Sequence, residues 1–206
     1  LARLDADLRG QGFAGELLVV QSNGGVMSRQ TACDLPVRTA LSGPAAGVIA
    51  CAEIARAAGF PNVITGDMGG TSFDVSLVAD GEAALAAQTA IDFGMVIRSP
   101  MIQIETIGAG GGSLAFMDAG GALRVGPQSA GADPGPACYG KGDQPTITDA
   151  NLVLGRLAPQ HFLGGQMRLD AGRAWQAVEK LSKQMHMDTL RVAQGIIQVA
   201  NAHMER

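Results

Sequence analysis

GDMGGTSFD, residues 66–74, sets two adjacent glycines between an aspartate and a run of hydroxyl and aromatic residues. The apolar NVIT before it and the alternating VSLV after it read as strands, so the glycines mark the tip of a β-hairpin. A second turn at Asp80-Gly81 follows the second strand. Gly69 and Gly70 are expected to adopt φ > 0 and to bring successive N–H groups close to an anion with no Cβ in the way, which makes a nest for phosphate oxygens. Thr71 and Ser72 add hydroxyl donors. Asp67, at the end of the first strand, would stand beside those phosphates, where a carboxylate is tolerated through a bound Mg²⁺, its waters or an oriented nucleophile. The competing reading is an ordinary tight turn capped by Asp67.

Working outward, residues 2–10 read as a helix closed by Gly10 and Gly12, and ELLVVQS (16–22) as a buried strand turning at Asn23-Gly24-Gly25. Ser42 is placed to cap a helix with Pro44 in its first turn. Apolar residues at 45, 48, 49, 52, 55 and 58 give that helix one face, and Gly59 ends it. MIQIETIGAGGGSLAFMDAGGALRV (101–125) reads as a second glycine-tipped hairpin about Gly108–Gly112, with a further turn at Gly120-Gly121. The Pro/Gly-rich stretch 126–145 is too long for a mere connector and is expected to carry function. Thr148 is expected to cap the helix DANLVLGRL. Asp170 and Asp188 are expected to cap the last two, over 171–185 and 189–206. Alternation of glycine-tipped strands with covering helices makes the fold class α/β with a mixed sheet.

Composition narrows the function. The 206 residues are 47% apolar, enough to bury a substantial core, and no run approaches a membrane span. The N-terminus lacks the layout of a secretion signal, so a cytoplasmic location is the default expectation. Three cysteines, odd in number and widely spaced, fit reduced thiols. A net charge of −4 with 4% aromatics argues against a nucleic-acid groove. The chain opens on Leu1 and closes inside a helical pattern, which reads as a piece of a longer protein.

The hairpin DMGGTSFDVSL (67–77) resembles the second phosphate-binding hairpin of the actin-like ATPase superfamily, which has a ribonuclease H-like fold. With LSGPAAGV (41–48), TIGAGGGSLA (106–115), RVGPQSAGADPGPACYG (124–140) and TDANLVLGRL (148–157), the resemblance narrows to the hydantoinase A family. That family includes 5-oxoprolinases, N-methylhydantoinases and the nucleotide-binding subunits of ketone carboxylases, and the resemblance spans the whole chain as a partial hydantoinase A domain.

The resemblance implies ATP-dependent phosphorylation of a carbonyl oxygen, followed by opening of a cyclic amide (a hydantoin or 5-oxoproline) or by carboxylation of a ketone. Asp67 would be the catalytic residue that positions Mg²⁺ or water. Gly69, Gly70 and Thr71 would cradle the β- and γ-phosphates, with Ser72 as an added donor. Asp74 is open to a structural or a catalytic role. The helix led by LSGPAAGV either aims its amides at the nucleotide or simply packs close on the sheet.

Glu105 and Asp133 are candidate metal ligands, since the resemblance implies that many relatives carry histidine at one position or the other; oxygen donors favour Mg²⁺ or Mn²⁺ over zinc. The plain alternative is a strand glutamate, a capped loop aspartate and, at Cys138, an inert thiol. His161, His186 and His203 share no spacing and read as solvated or core histidines. The implied partner is a hydantoinase B type subunit or domain. The family's first phosphate segment and its adenosine-contacting segment have no counterpart within these residues, so the chain alone is expected to bind ATP weakly. An actin-like ATPase of chaperone type shares the same phosphate grip but not the blocks at 106–115 and 124–140.

Overall fold

A computed structural model of the protein describes residues 1–90 and 96–205. The fold is mixed α/β and divides into two compact units, residues 1–67 with 74–105, and residues 68–73 with 106 onward. The stem of the opening hairpin thus belongs to the first unit and its glycine tip to the second.

In the first unit, helix α1 (Ala2–Gly10) ends at Gln11, and Gly12 follows at a positive φ. Strands β1 (Leu18–Val20) and β2 (Val26–Ser28) pair antiparallel across the Asn23–Gly25 turn. β1 is shorter than expected and not buried: Leu18 is 49% exposed, because only the 27 position of this ribbon faces into the core. A short helix, α2 (Arg29–Asp34), is capped by Ser28 accepting from Thr31 N.

Helix α3 (Ser42–Ala57) starts where expected, but its N-cap is Leu41, with no side-chain cap. Ser42 is therefore not the cap. Among its expected face, Ala45, Val48 and Ala52 are buried and join Val78 and Ile102 in one core cluster, while Ile49 lies at the margin.

Strand β3 (Val63–Met68) and β4 (Phe73–Ala79) pair within a sheet of order β10–β4–β3. A four-residue link forces them antiparallel, since parallel strands need a long crossover. β4 turns through Asp80 and Gly81, both at positive φ, into β5 (Glu82–Ala83), the two-residue type I′ geometry that twisted hairpins prefer. Short ribbons β6 (Leu85–Ala86), β7 (Thr89–Ala90), β8 (Val96–Ile97) and β9 (Met101–Ile102) complete the unit, β6 with β9 and β7 with β8.

The expected second hairpin about Gly108–Gly112 is not one. Strand β10 (Glu105–Ile107) pairs with β4, whereas β11 (Ser113–Met117) pairs with β12 (Leu123–Ser129). The glycines join two different sheets, and their backbone hydrogen bonds go to the loop at 69–70 instead of to each other. The turn that does close a hairpin here is 118–122. Asp118 Oδ1 accepts from Gly120 N and Ala122 N, both at 2.9 Å, and Oδ2 takes Arg124 Nε at 2.7 Å. Arg124 first, then the Ala122 N–H, hold this carboxyl below the usual range.

The Pro/Gly stretch from 126 is less irregular than its composition suggests. Residues 126–129 extend β12, whose single pairing partner leaves an edge where Pro127 needs no donor.

Helix α4 (Ile147–Val153) is capped by Thr146, not Thr148, in a reciprocal capping box with Asp149. Asp170 and Asp188 cap α5 (Ala171–Met185) and α6 (Thr189–Met204) as expected, and the last residue of the expected 189–206 helix lies outside the described residues. α5 and α6 set Val178, Leu181, Val192, Ile196 and Ile197 against Val125 and Ile147, the main core of this unit. Each such side chain contributes about 1.5–3 kcal/mol by leaving water. No helix among the described residues is long and apolar enough to cross a membrane.

Candidate functional site

The glycine tip is fixed by what consumes its carbonyls. Gly69 N donates to Ser72 O at 2.8 Å and closes the turn. Gly69 O then accepts from Gly111 N at 2.9 Å, and Gly70 O from Gly112 N at 2.7 Å. Ser129 Oγ adds a longer contact to Gly70 O. With the carbonyls turned to these partners, the N–H groups of Gly70, Thr71 and Ser72 have no acceptor among the described residues. Three successive unpaired N–H groups on this turn are donors open to an anion; neither Gly69 nor Gly70 takes the expected positive φ, because the turn is closed by the Gly69 N–Ser72 O bond and by contacts to 111–112 without it.

The approach of the two segments tolerates no side chain. A Cβ at Gly110 would lie 2.6 Å from Thr71 N and 2.7 Å from both Gly70 C and Ser72 N. At Gly112 it would lie 2.8 Å from Gly70 O, and at Gly111 2.8 Å from Thr148 Oγ1. Gly110 and Gly112 are thus required by close packing on the loop, and Gly111 by the Thr148 hydroxyl.

The same elements wall a cleft of about 560 Å³. Gly69, Gly70 and Thr71 form one side, with Gly111 and Gly112. Thr148 and Asn151 project from α4, and Tyr139, Ile147, Leu157 and Phe162 give an apolar flank. Thr148 Oγ1 donates to Gly111 O at 2.9 Å, which ties α4 to the glycine segment. Tyr139 and Phe162 meet at 5.7 Å between ring centroids, tilted by 46°. Burial pushes the Tyr139 phenol above its usual pKa, so it stays neutral across the physiological range.

The flank is held by a carboxylate that the sequence reading passed over. Asp149 is fully buried and accepts from Ala137 N (3.1 Å), Cys138 N (2.8 Å), Thr146 N (3.0 Å) and Thr146 Oγ1 (2.8 Å). The pattern T-x-x-D at 146–149 carries the signal, the capping box read two residues too late. Four donors on one carboxylate lock the 136–139 segment beside α4. Desolvation, reinforced by Asp149, pushes the Cys138 thiol far above its ordinary pKa, which makes it an unreactive core group. For Asn151, Tyr139 and Phe162 the sequence offered no local signal, since they meet only through the path of the chain.

Of the expected site residues, Gly69, Gly70 and Thr71 line the cleft together. Ser72 does not line it; it is partly buried and its carbonyl closes the turn. Asp67 is exposed at the end of β3, and no donor or cation pairs with it among the described residues. Glu105 is exposed at the start of β10. Asp133 is exposed and pairs with Lys141 Nζ at 3.0 Å. No group of three or more His, Cys, Asp or Glu side chains poised for a metal occurs among the described residues. The ligand roles of Glu105 and Asp133 rest on the sequence resemblance.

A protein-family model described as Hydantoinase/oxoprolinase matches residues 1–206. Caprolactamase subunit alpha of Pseudomonas jessenii is 44% identical over 207 residues, covering 99% of this chain and 30% of the relative. The crystal structure of ATP-dependent caprolactamase from that organism superposes with a TM-score of 0.77 at 43% identity, over 98% of this chain and 30% of the other. The nucleotide-free structure of acetone carboxylase, solved in work on ATP-dependent acetone carboxylation, superposes with a TM-score of 0.84 at 30% identity, over 98% of this chain and 28% of the other. 5-Oxoprolinase 1 of Arabidopsis thaliana is 38% identical over 209 residues, 92% of this chain and 16% of the relative. The chain therefore spans less than a third of the length of each of these proteins.

Proposed function

Because the chain belongs to the hydantoinase/oxoprolinase family, we propose that it supplies the phosphate-holding part of a longer, ATP-dependent cyclic-amide hydrolase. One observation carries this reading: the carbonyls of Gly69 and Gly70 are occupied by Gly111 and Gly112, while the N–H groups at 70–72 are left without an acceptor. The residues present fit a nucleotide's terminal phosphates, since the tip has no Cβ at two positions, three free N–H donors and the Thr71 hydroxyl beside them. Gly69, Gly70 and Thr71 hold the β- and γ-phosphates, with the Ser72 N–H at the edge of the nest.

Asp67 is the catalytic carboxylate. It is exposed and unpaired one residue before the loop, where a carboxylate is tolerated as a ligand of Mg²⁺ or Mn²⁺, or by orienting a water. A divalent ion there would neutralise phosphate charge. Glu105 and Asp133 are further candidate ligands on the strength of the resemblance. The γ-phosphoryl passes to the amide oxygen and ADP departs. Water then adds to the activated carbon and the C–N bond breaks with protonation of the leaving nitrogen, so the ring opens to an acyl phosphate, and a second water releases phosphate and leaves the carboxylate. Relatives named as subunits support a multi-subunit assembly, and a hydantoinase B type partner is the finer form of that proposal.

The acetone carboxylase superposition favours one second reading, in which the activated acceptor is a ketone that takes up a one-carbon unit. ATP hydrolysis by the intact protein, measured with 5-oxoproline, hydantoin and ε-caprolactam against acetone plus bicarbonate, decides between them. Ring opening matched by ADP release, and lost by at least about 10²-fold in Asp67→Asn, is the expected result. Stimulation by acetone alone would overturn the hydrolase reading in favour of the carboxylase.

A further inference from the structure

Beside the glycine loop, the cleft holds a carboxamide without a task. Asn151 is partly buried, lines the cleft, and its carboxamide makes no hydrogen bond among the described residues. A carboxamide offers a carbonyl acceptor and an N–H donor on one edge. The complementary edge is a cis amide, whose N–H and C=O lie side by side, and small rings enforce that geometry. A linear trans amide points the two groups apart. Tyr139, Phe162, Leu157 and Ile147 supply an apolar wall suited to ring methylenes.

We propose that the Asn151 carboxamide pairs with the cis-amide edge of a small cyclic amide seated in this cleft, its ring against Tyr139 and Phe162. The inference deepens the hydrolase reading and rests on it for the position of the phosphoryl donor. Asn151 stands one helical turn from Thr148, about 5–6 Å away on the same face of α4. Thr148 Oγ1 in turn bonds Gly111 O, and Gly111 N bonds Gly69 O, each at 2.9 Å. A ring paired with Asn151 therefore brings its carbonyl oxygen to the phosphate end of the cleft.

Adenine also presents a donor beside an acceptor, and Asn pairs with it elsewhere. In ATP, however, that edge is separated from the terminal phosphate by a ribose and two further phosphates, a longer reach than one helical turn. A ketone lacks the N–H and would satisfy only half of the carboxamide, so the complete pairing needs a lactam.

The test uses the intact protein and two probes that differ at one atom's substituent, 2-pyrrolidinone and N-methyl-2-pyrrolidinone. Binding is followed by saturation-transfer NMR and ATP affinity by nucleotide titration. Wild type is expected to bind 2-pyrrolidinone and to discriminate against the N-methyl compound. Asn151→Ala and Asn151→Asp, the latter keeping the side chain's size, are expected to weaken 2-pyrrolidinone by about 10–30-fold and leave ATP affinity unchanged. Unchanged 2-pyrrolidinone binding in the variants, no binding to wild type, or a loss that falls on ATP instead would each overturn the assignment. Asn151-dependent lactam binding in a protein that does not couple it to ATP hydrolysis would uphold it while removing the hydrolase reading.

Discussion

Gly110→Ala is the sharpest perturbation of the loop, because Gly110 is not itself proposed to meet the nucleotide, yet its added Cβ presses on the backbone that is. The added Cβ would sit 2.6 Å from Thr71 N, where ordinary contact begins at 3.4 Å. The shortfall of about 0.8 Å cannot be absorbed by a rotamer, since all three obstructing atoms are backbone. Either the 110–112 segment or the 70–72 loop must move by that amount, and the Gly111–Gly69 and Gly112–Gly70 hydrogen bonds oppose the first. Misplacing a positioning element by about 1 Å costs on the order of 10² in rate, and overpacking a filled site costs about 1–3 kcal/mol in stability. In the intact protein, ADP release coupled to lactam opening is expected to fall about 10²-fold in kcat/KM, with a modest drop in Tm. Gly108→Ala, with nothing within 4 Å of its added Cβ, is the matched control and is expected to behave as wild type. Gly110→Ala turning over within about twofold of wild type would refute the close-packing account of the loop.

Removing the Asp149 carboxylate leaves the N–H groups of Ala137, Cys138 and Thr146 buried without an acceptor. At about 1–3 kcal/mol for each orphaned donor, chemical denaturation of Asp149→Ala should show a loss of several kcal/mol, and Tyr139 fluorescence should report a loosened cleft wall. Native thiol titration at pH 8 should modify Cys33 and Cys51, which are exposed, and spare Cys138, whose burial holds it protonated; all three should react in denaturant. Calorimetric titration of the 206 residues alone should show ATP affinity weaker than micromolar, and micromolar binding would contradict the view that they carry one wall of the nucleotide site.

Local chemistry made much of this legible before any coordinates. The glycine tip at 69–70, the Asp80-Gly81 turn and the caps at Asp170 and Asp188 depend on backbone demands that one or two residues satisfy, so they could be read in place. Errors arose where two local solutions compete. Ser42 and Thr148 both have capping side chains, yet α3 begins on Leu41, and Thr146 takes the α4 cap because Asp149 can answer it reciprocally. Gly108–Gly112 looked like a turn because glycine-rich runs usually are one. Gly110 and Gly112 are instead needed for contact with a loop about 40 residues earlier in the chain, as the Gly112 N–Gly70 O bond records.

The sequence by itself determined the family, through five ordered blocks, and the glycine tip on which the proposed phosphate nest rests, because such a nest would be built from contiguous backbone. Which carbonyls that nest gives up, and so which N–H groups remain free, was decided only when the chain brought 111–112 against 69–70. The same is true of the cleft: Thr71, Tyr139, Asn151 and Phe162 come from four separate segments. Their convergence follows from strand pairing and helix packing over long sequence separations, which no local pattern encodes.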